Sequence, residues 1–264
     1  MPATLSKYLA GDPTRSVADP AATSKRRRQL ADLRAFVAVL DDVSSRWEAS
    51  RGSDLAAARC VHVHLAEWAA ADGLMNLSTE DAFLTRDVLV VDVARAWARV
   101  RIADVAEVDP AIIETWFGRI ARDAIAFYEF SAGPRSRANN HRYWAGAAVG
   151  TIGALTQDPQ LMRWAADTLR MGLCQVRPDG ALPLELERGR RALEYHVYAL
   201  RALATLDAAL ADGAPPDLGG CADGLRRLHA FTAGWLQGSA PTGSAAQEPL
   251  PNASRRFMAT YRSD

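Results

Sequence analysis

The sequence has little cysteine, no net charge and none of the short signatures of nucleotide or metal chemistry. Cys60, Cys174 and Cys221 are the only three thiols in 264 residues. They are widely spaced, form no C-x-x-C and are odd in number, which argues against a zinc site and against a disulfide framework, leaving packing roles. No G-x-G-x-x-G, P-loop, G-x-S-x-G or H-E-x-x-H is present, so nucleotide, serine-hydrolase and zincin chemistry have no support. No apolar run approaches the roughly 18 residues that span a bilayer, and Met1 to Ala10 lacks the basic start and apolar stretch of a signal peptide. Read alone, the chain is expected in the cytoplasm with no membrane partner. Lys and Arg number 31 against 31 Asp and Glu, so no overall polyanion-binding face, and no nucleic-acid partner, is expected. A cancelled total still permits a local basic cleft. Sustained period-two alternation of β-branched residues is also missing, which excludes a sheet-based core.

What is present is helical. Apolar residues form 49% of the chain and charged ones 23%, the balance of a folded domain with a sizeable core. Residues 1–24 are rich in Pro, Asp, Ser and Thr and read as an extended arm, after which Lys25 to Arg28 opens a helix as a solvated basic start. Helical spacing then recurs through Leu33 to Trp47, Leu55 to Trp68, Val88 to Val100, Ala111 to Phe130, Arg142 to Leu155, Pro159 to Val176, Arg188 to Leu210 and Asp223 to Leu236. Turn formers break the pattern at D-P, S-A-G-P, D-P, R-P-D-G and D-G-A-P-P. The fold class is therefore all-α, with antiparallel hairpins packed as an α/α toroid over residues 25–237. Residues 238–264 make a C-terminal loop and a short last element. The Trp residues are expected chiefly in the core.

Two polar clusters interrupt this pattern. His62 and His64 stand two apart on a helix and point away from each other, which is poor geometry for one metal ion. By contrast, A-N-N-H-R-Y-W at Ala138 to Trp144 sets two amides and an imidazole at a helix start, where Asn139 would suit a cap. The second cluster is L-E-L-E-R-G-R-R-A-L-E-Y-H-V-Y, Leu184 to Tyr198. On a continuous helix Arg188 and Tyr195 share a face, with Arg191 beside them. Spacing alone leaves open a site for a carboxylate and a proton, or surface ion pairs with Glu185, Glu187 and Glu194. Together the clusters offer amides, an imidazole, a guanidinium and a phenol without a pair of carboxylates. That set points away from glycoside hydrolysis and toward β-elimination on a uronate, whose carboxylate must be neutralised before its α proton can leave.

N-N-H-R-Y-W, R-W-A at Arg163 to Ala165, D-G-A-L-P-L-E-L at Asp179 to Leu186 and R-x-x-R-A-L-x-Y-H-x-Y-A-L from Arg188 resemble, in order and spacing, the mannuronate-type alginate lyases of polysaccharide lyase family 5. Weaker echoes occur at Ser6 to Tyr8, Ala58 to Cys60, Trp68 to Leu74 and Thr242 to Gln247. The resemblance implies an incomplete α/α toroid, an anionic polysaccharide substrate, no metal or cofactor and a monomer. It implies catalytic roles for Asn140, His141, Arg188 and Tyr195: amide and imidazole at the reacting sugar, cation on its carboxylate, and a phenol that is the acid at the glycosidic oxygen and, for mannuronate, also the base, with His141 as the alternative base. Substrate contacts are expected from Asn139, Tyr143, Trp144 and Arg191, and from Lys7 and Tyr8 as parts of a lid. The product would carry a 4,5-unsaturated uronate. Thr85, Arg86, Asp87 and Val88 depart from a common R-K-W, and Leu184 stands where some members have Asn. Altered preference, for glucuronan or hyaluronan, or a non-catalytic polysaccharide-binding scaffold are the alternatives. Family habit implies the periplasm or secretion, against the signal-free start.

Overall fold

A computed structural model describes residues 4, 6–12, 14–211, 213 and 216–262. Among them there is no strand, only an isolated bridge between Tyr8 and Ala18. The helices are α1 (Pro20–Gln29), α2 (Ala31–Ala49), α3 (Leu55–Ala70), α4 (Glu80–Val100), α5 (Pro110–Ala126), α6 (Asn140–Thr156), α7 (Pro159–Cys174), the short α8 (Pro183–Leu186), α9 (Ala192–Leu210), α10 (Gly224–Leu236) and α11 (Asn252–Thr260). Their starts follow from local chemistry. Asp19, Asp109 and Asp158 each cap a helix whose first residue is proline, where a missing N–H costs nothing.

Helices α2, α4, α6 and α9 pack in sequence as an inner row, while α3, α5, α7 and α10 return outside them. Each hairpin comes back on the outside, so the inner helices run parallel and begin at the same end of the molecule. No comparable packing joins α9 back to α2, so the toroid is incomplete and open on that side. The central helix α6 is apolar nearly all round, as a helix enclosed by α4, α5, α7 and α9 must be. Close approach is written into it: a Cβ on Gly146 would lie 2.6 Å from Thr168 Cγ2 and 2.8 Å from Leu206 Cδ2. Trp97, Trp116 and Trp144 are among the largest fully buried side chains.

The structure corrects several expectations. The arm ends at Asp19, because Asp19 and Pro20 start α1 before the basic run. Helix α4 begins eight residues ahead of Val88, capped by Thr79; its first turns bury the Arg86 and Asp87 pair (Nε to Oδ1 3.1 Å), and those polar residues hide the apolar period. Helix α9 begins at Ala192, not Arg188, because Gly189 (φ +54°) turns the chain into a single 3₁₀ turn first. Cys174 and Cys221 are joined as a disulfide across 47 residues, with Cα atoms 4.9 Å apart, and only Cys60 is free. The pair escapes sequence reading because only packing of α7 against the turn before α10 brings the two thiols together. His62 is buried with Nε2 3.0 Å from the Val100 carbonyl, and His64 is exposed beside Glu67. Parts of the arm, residues 212, 214 and 215 of the D-G-A-P-P break, and the last two residues lie outside the described residues.

Candidate active site

The common end of the inner helices opens into a cleft. Arg34 from the first turn of α2, Asp81, Thr85 and Val88 from α4, His141 from α6 and Glu194, Tyr195 and Tyr198 from α9 all line it. Four helix N-termini directed at one space favour an anion there. The cleft has two lobes, with cavity volumes of about 400 Å³ and about 760 Å³. Ser6, Tyr8, Arg15, His141 and Arg188 border both, so they mark the waist. In the first lobe Lys7, Arg15, Arg26, Arg27, Arg34 and Arg188 outnumber Asp81 and Glu194. A neutral chain has therefore concentrated positive charge in one cleft; Arg26 belongs to this wall and Arg27 borders it while exposed, whereas Lys25 and Arg28 are the solvated helix start that the sequence suggests. The K-R-R-R run was the visible signal; only the docking of α1 shows what it faces.

At the waist, the first turn of α6 is built as its sequence suggests. Asn139 takes extended backbone and its side chain accepts from the His141 N–H at 3.0 Å, while the Tyr128 hydroxyl donates to the His141 carbonyl at 3.0 Å. The His141 ring reaches the cleft, and its buried Nδ1 has no hydrogen-bond partner among the described residues. Burial, then Arg188, Arg15, Arg26 and Lys7, push its pKa down to about 3, so the imidazole is neutral at physiological pH.

Arg188 is 2% exposed and bridges the arm to the core: Nη1 donates to the carbonyls of Thr14 and Arg15, each at 3.2 Å. Its guanidinium carbon lies 4.0 Å from the Tyr195 ring centre. Tyr195 is buried at the cleft wall, and its hydroxyl hydrogen-bonds to that of Tyr8. Burial first, then Tyr8, raise the Tyr195 pKa well above its ordinary value, while Arg188 and Arg191 pull it down. Phenol, guanidinium and neutral imidazole thus share one space with the geometry to receive a carboxylate and move a proton.

Other expected residues stand elsewhere. Asn140 is fully buried and absent from the cleft wall; its backbone N–H and Nδ2 both donate to Glu185 Oε1, at 3.0 and 2.8 Å, so its amide donor is already used. Tyr143 and Trp144 are core residues, the first donating its hydroxyl to Gln175 Oε1 and the second packed on Tyr198, because those positions of α6 face its neighbours. Asn139 borders the second lobe as the helix cap. Arg191 is turned to Glu194 (2.7 Å) and does not line the cleft, although its guanidinium carbon is 5.6 Å from the Tyr8 ring. Lys7 and Tyr8 border the cleft. Of the carboxylates near Arg188 in sequence, Glu187 pairs with Arg135 and Glu194 with Arg191, both at the surface or partly so; Glu185 is 1% exposed.

Comparison with known proteins places this geometry in context. The sequence model described as alginate lyase matches residues 23–233. A polysaccharide lyase of Stenotrophomonas maltophilia strain K279a is 34% identical over 198 residues, 73% of this chain and 57% of the relative. An alginate lyase of Pseudomonas putida strain GB-1 is 28% identical over 207 residues, 76% of this chain and 55% of its own. The chain spans about half the length of the curated relatives it matches. Among solved structures, a variant of alginate lyase A1-III complexed with tetrasaccharide aligns with a TM-score of 0.76 at 20% identity, covering 94% of this chain and 68% of that one. Alginate lyase A1-III from Sphingomonas species A1 gives 0.71 at 20% identity, covering 93% and 69%. Those two likenesses carry the α/α toroid fold.

Proposed function

The chain belongs to the alginate lyase family, and from that membership and its cationic cleft we propose that it is a polysaccharide lyase cleaving alginate by β-elimination, with poly-β-D-mannuronate as the preferred polymer. The observation that carries the reading is the Arg188 guanidinium over the Tyr195 ring, with a neutral His141 bordering the same lobe. A uronate entering there sets its carboxylate against Arg188 and His141. These groups offset the second negative charge that develops when the C5 proton leaves.

Tyr195 is the acid and base. In mannuronate the C5 proton and the 4-O-linked sugar share a face, so one phenol oxygen serves both. The phenol first releases its own proton to solvent, and the phenolate then takes the C5 proton; the electron pair forms the C4 to C5 double bond as the C4–O bond breaks, and the proton passes to the departing oxygen. Burial and Tyr8 hold the Tyr195 pKa well above its ordinary value, and Arg188 over the ring and Arg191 beside it lower the cost of ionising it. Tyr8 of the arm meets the Tyr195 hydroxyl, and closure of the arm over bound polymer would limit water. No metal or cofactor is part of this chemistry, and all the groups involved belong to one chain, acting as a monomer on an anionic polysaccharide. The Cys174–Cys221 disulfide supports a periplasmic or secreted setting, where such bonds persist.

The test is incubation with polymannuronate, polyguluronate, glucuronan and hyaluronan, following ultraviolet absorbance of the unsaturated product. Fastest rise on polymannuronate is expected. Val88 lines the cleft where the resemblance suggests an aromatic, so comparable rates on another polymer would assign the preference differently. No rise on any of them would remove the lyase reading.

A further inference from the structure

We propose that Glu185, outside the set of residues that meet the sugar, is the positioning residue that fixes the spacing between His141 and Arg188. Its carboxylate is buried and stands between the two halves of the site. Oε1 accepts from the backbone N–H of Asn140 at 3.0 Å and from Asn140 Nδ2 at 2.8 Å, while Oε2 lies 3.7 Å from Arg188 Nε. Asn140 is the first residue of α6 and precedes His141 directly, so one side chain ties the start of α6 to the segment that carries Arg188.

The local fold is arranged for this. Pro183 starts the single-turn α8, the Arg188 N–H donates to the Glu185 carbonyl at 3.2 Å, and Gly189 then turns the chain away. An anion at the N-terminus of α6 satisfies a helix N–H that has no partner within the helix. Burial pushes the Glu185 carboxyl up, while Arg188 and the two Asn140 donors draw it back. The carboxylate holds Asn140 through two hydrogen bonds, so moving that residue strands two buried donors, and it meets Arg188 through charge alone, since Oε2 and Arg188 Nε have no hydrogen-bond partner among the described residues. The buried Nδ1 of His141 has no hydrogen-bond partner among the described residues, while its backbone N–H and carbonyl are both held, so the hold on Asn140 bears on where the ring sits.

The inference rests on the lyase reading, and the experiment separates the two. Glu185→Gln, Asn140→Ala and the double variant are compared in turnover of polymannuronate, with thermal melts as a fold check. The Gln side chain keeps an acceptor for the Asn140 N–H and gives up the charge facing Arg188. Expected is a fall in kcat of about 10- to 100-fold with KM within about threefold, the scale of a misplaced catalytic group. Because both residues belong to one clamp, the double variant should lose no more than about threefold beyond the worse single variant. A kcat for Glu185→Gln within twofold of the parent, or losses that multiply, overturns the inference. Should Glu185→Gln fail to fold, Glu185→Asp keeps the charge on a shorter stem: a roughly tenfold lower kcat at an unchanged melting temperature supports positioning, and the parent kcat overturns it. An unvaried chain without activity on any polyuronate removes the lyase reading itself.

Discussion

The Arg188 guanidinium carbon lies 4.0 Å from the centre of the Tyr195 ring although the two residues do not share a helix. Gly189 and a single 3₁₀ turn separate them, and the contact is made by stacking across that turn. A planar cation on an aromatic face supports negative charge on the phenol oxygen and presents its edge to a carboxylate.

Lysine at this position would keep the charge and lose the plane. Arg188→Lys is expected to lower kcat/KM on polymannuronate by about 100-fold or more, roughly 3 kcal/mol of transition-state stabilisation. Steady-state kinetics check it; retention of a third of the parent value would mean that charge alone suffices.

Tyr143 separates the core reading from the substrate reading of α6. Its hydroxyl donates to Gln175 away from the cleft. Tyr143→Phe should lower unfolding stability by about 1 kcal/mol and leave KM within twofold. Denaturant unfolding and kinetics on one preparation decide, and a several-fold rise in KM would return Tyr143 to the sugar.

The reach of the sequence can be judged from these residues. Helices with an apolar stripe were legible because burial on one side writes its period into the chain, and the Asn139 cap because a side-chain oxygen there answers a helix N–H. Helix α4 was half legible, since its buried Arg86 and Asp87 break the period. Asn140, Tyr143 and Trp144 adjoin His141 in sequence, yet a helix turns adjacent residues about 100° apart, and only His141 and the capping Asn139 meet the cleft. Glu185 was visible only as a surface partner, because its burial depends on α6 lying against α8's segment, a contact 45 residues apart. Arg15, Arg26 and Arg34 face the cleft only once α1 and the arm have docked.

His196 links pH to stability. It is buried, donates from Nδ1 to the Ala192 carbonyl at 2.7 Å and accepts the Leu182 N–H on Nε2 at 3.0 Å, so it must be neutral. Burial first lowers its pKa to about 4. Unfolded histidine binds its proton near pH 6.5, so unfolding takes up a proton between about pH 6.5 and 4. The stability His196 contributes is complete above that window and lost as pH falls through it. Melting temperatures of the parent should drop across this window more steeply than those of His196→Gln; parallel curves would exclude the histidine as a cause.

The Cys174–Cys221 bond predicts one reactive thiol in the native protein and three after denaturing reduction. Closing a 47-residue separation limits the unfolded chain, so reduction should lower stability by about 2–4 kcal/mol and the melting temperature by roughly 10 °C. Thiol titration and melts with and without reductant test this, and three native thiols would refute the bond.

The central claim is that Tyr195 carries the proton in a β-elimination. The most direct measurement is turnover of polymannuronate by Tyr195→Phe, with polymer binding measured in parallel by calorimetry. The account predicts that formation of unsaturated product falls by at least about 1000-fold while the binding constant stays within a few-fold of the parent. Unchanged turnover with unchanged binding would contradict it.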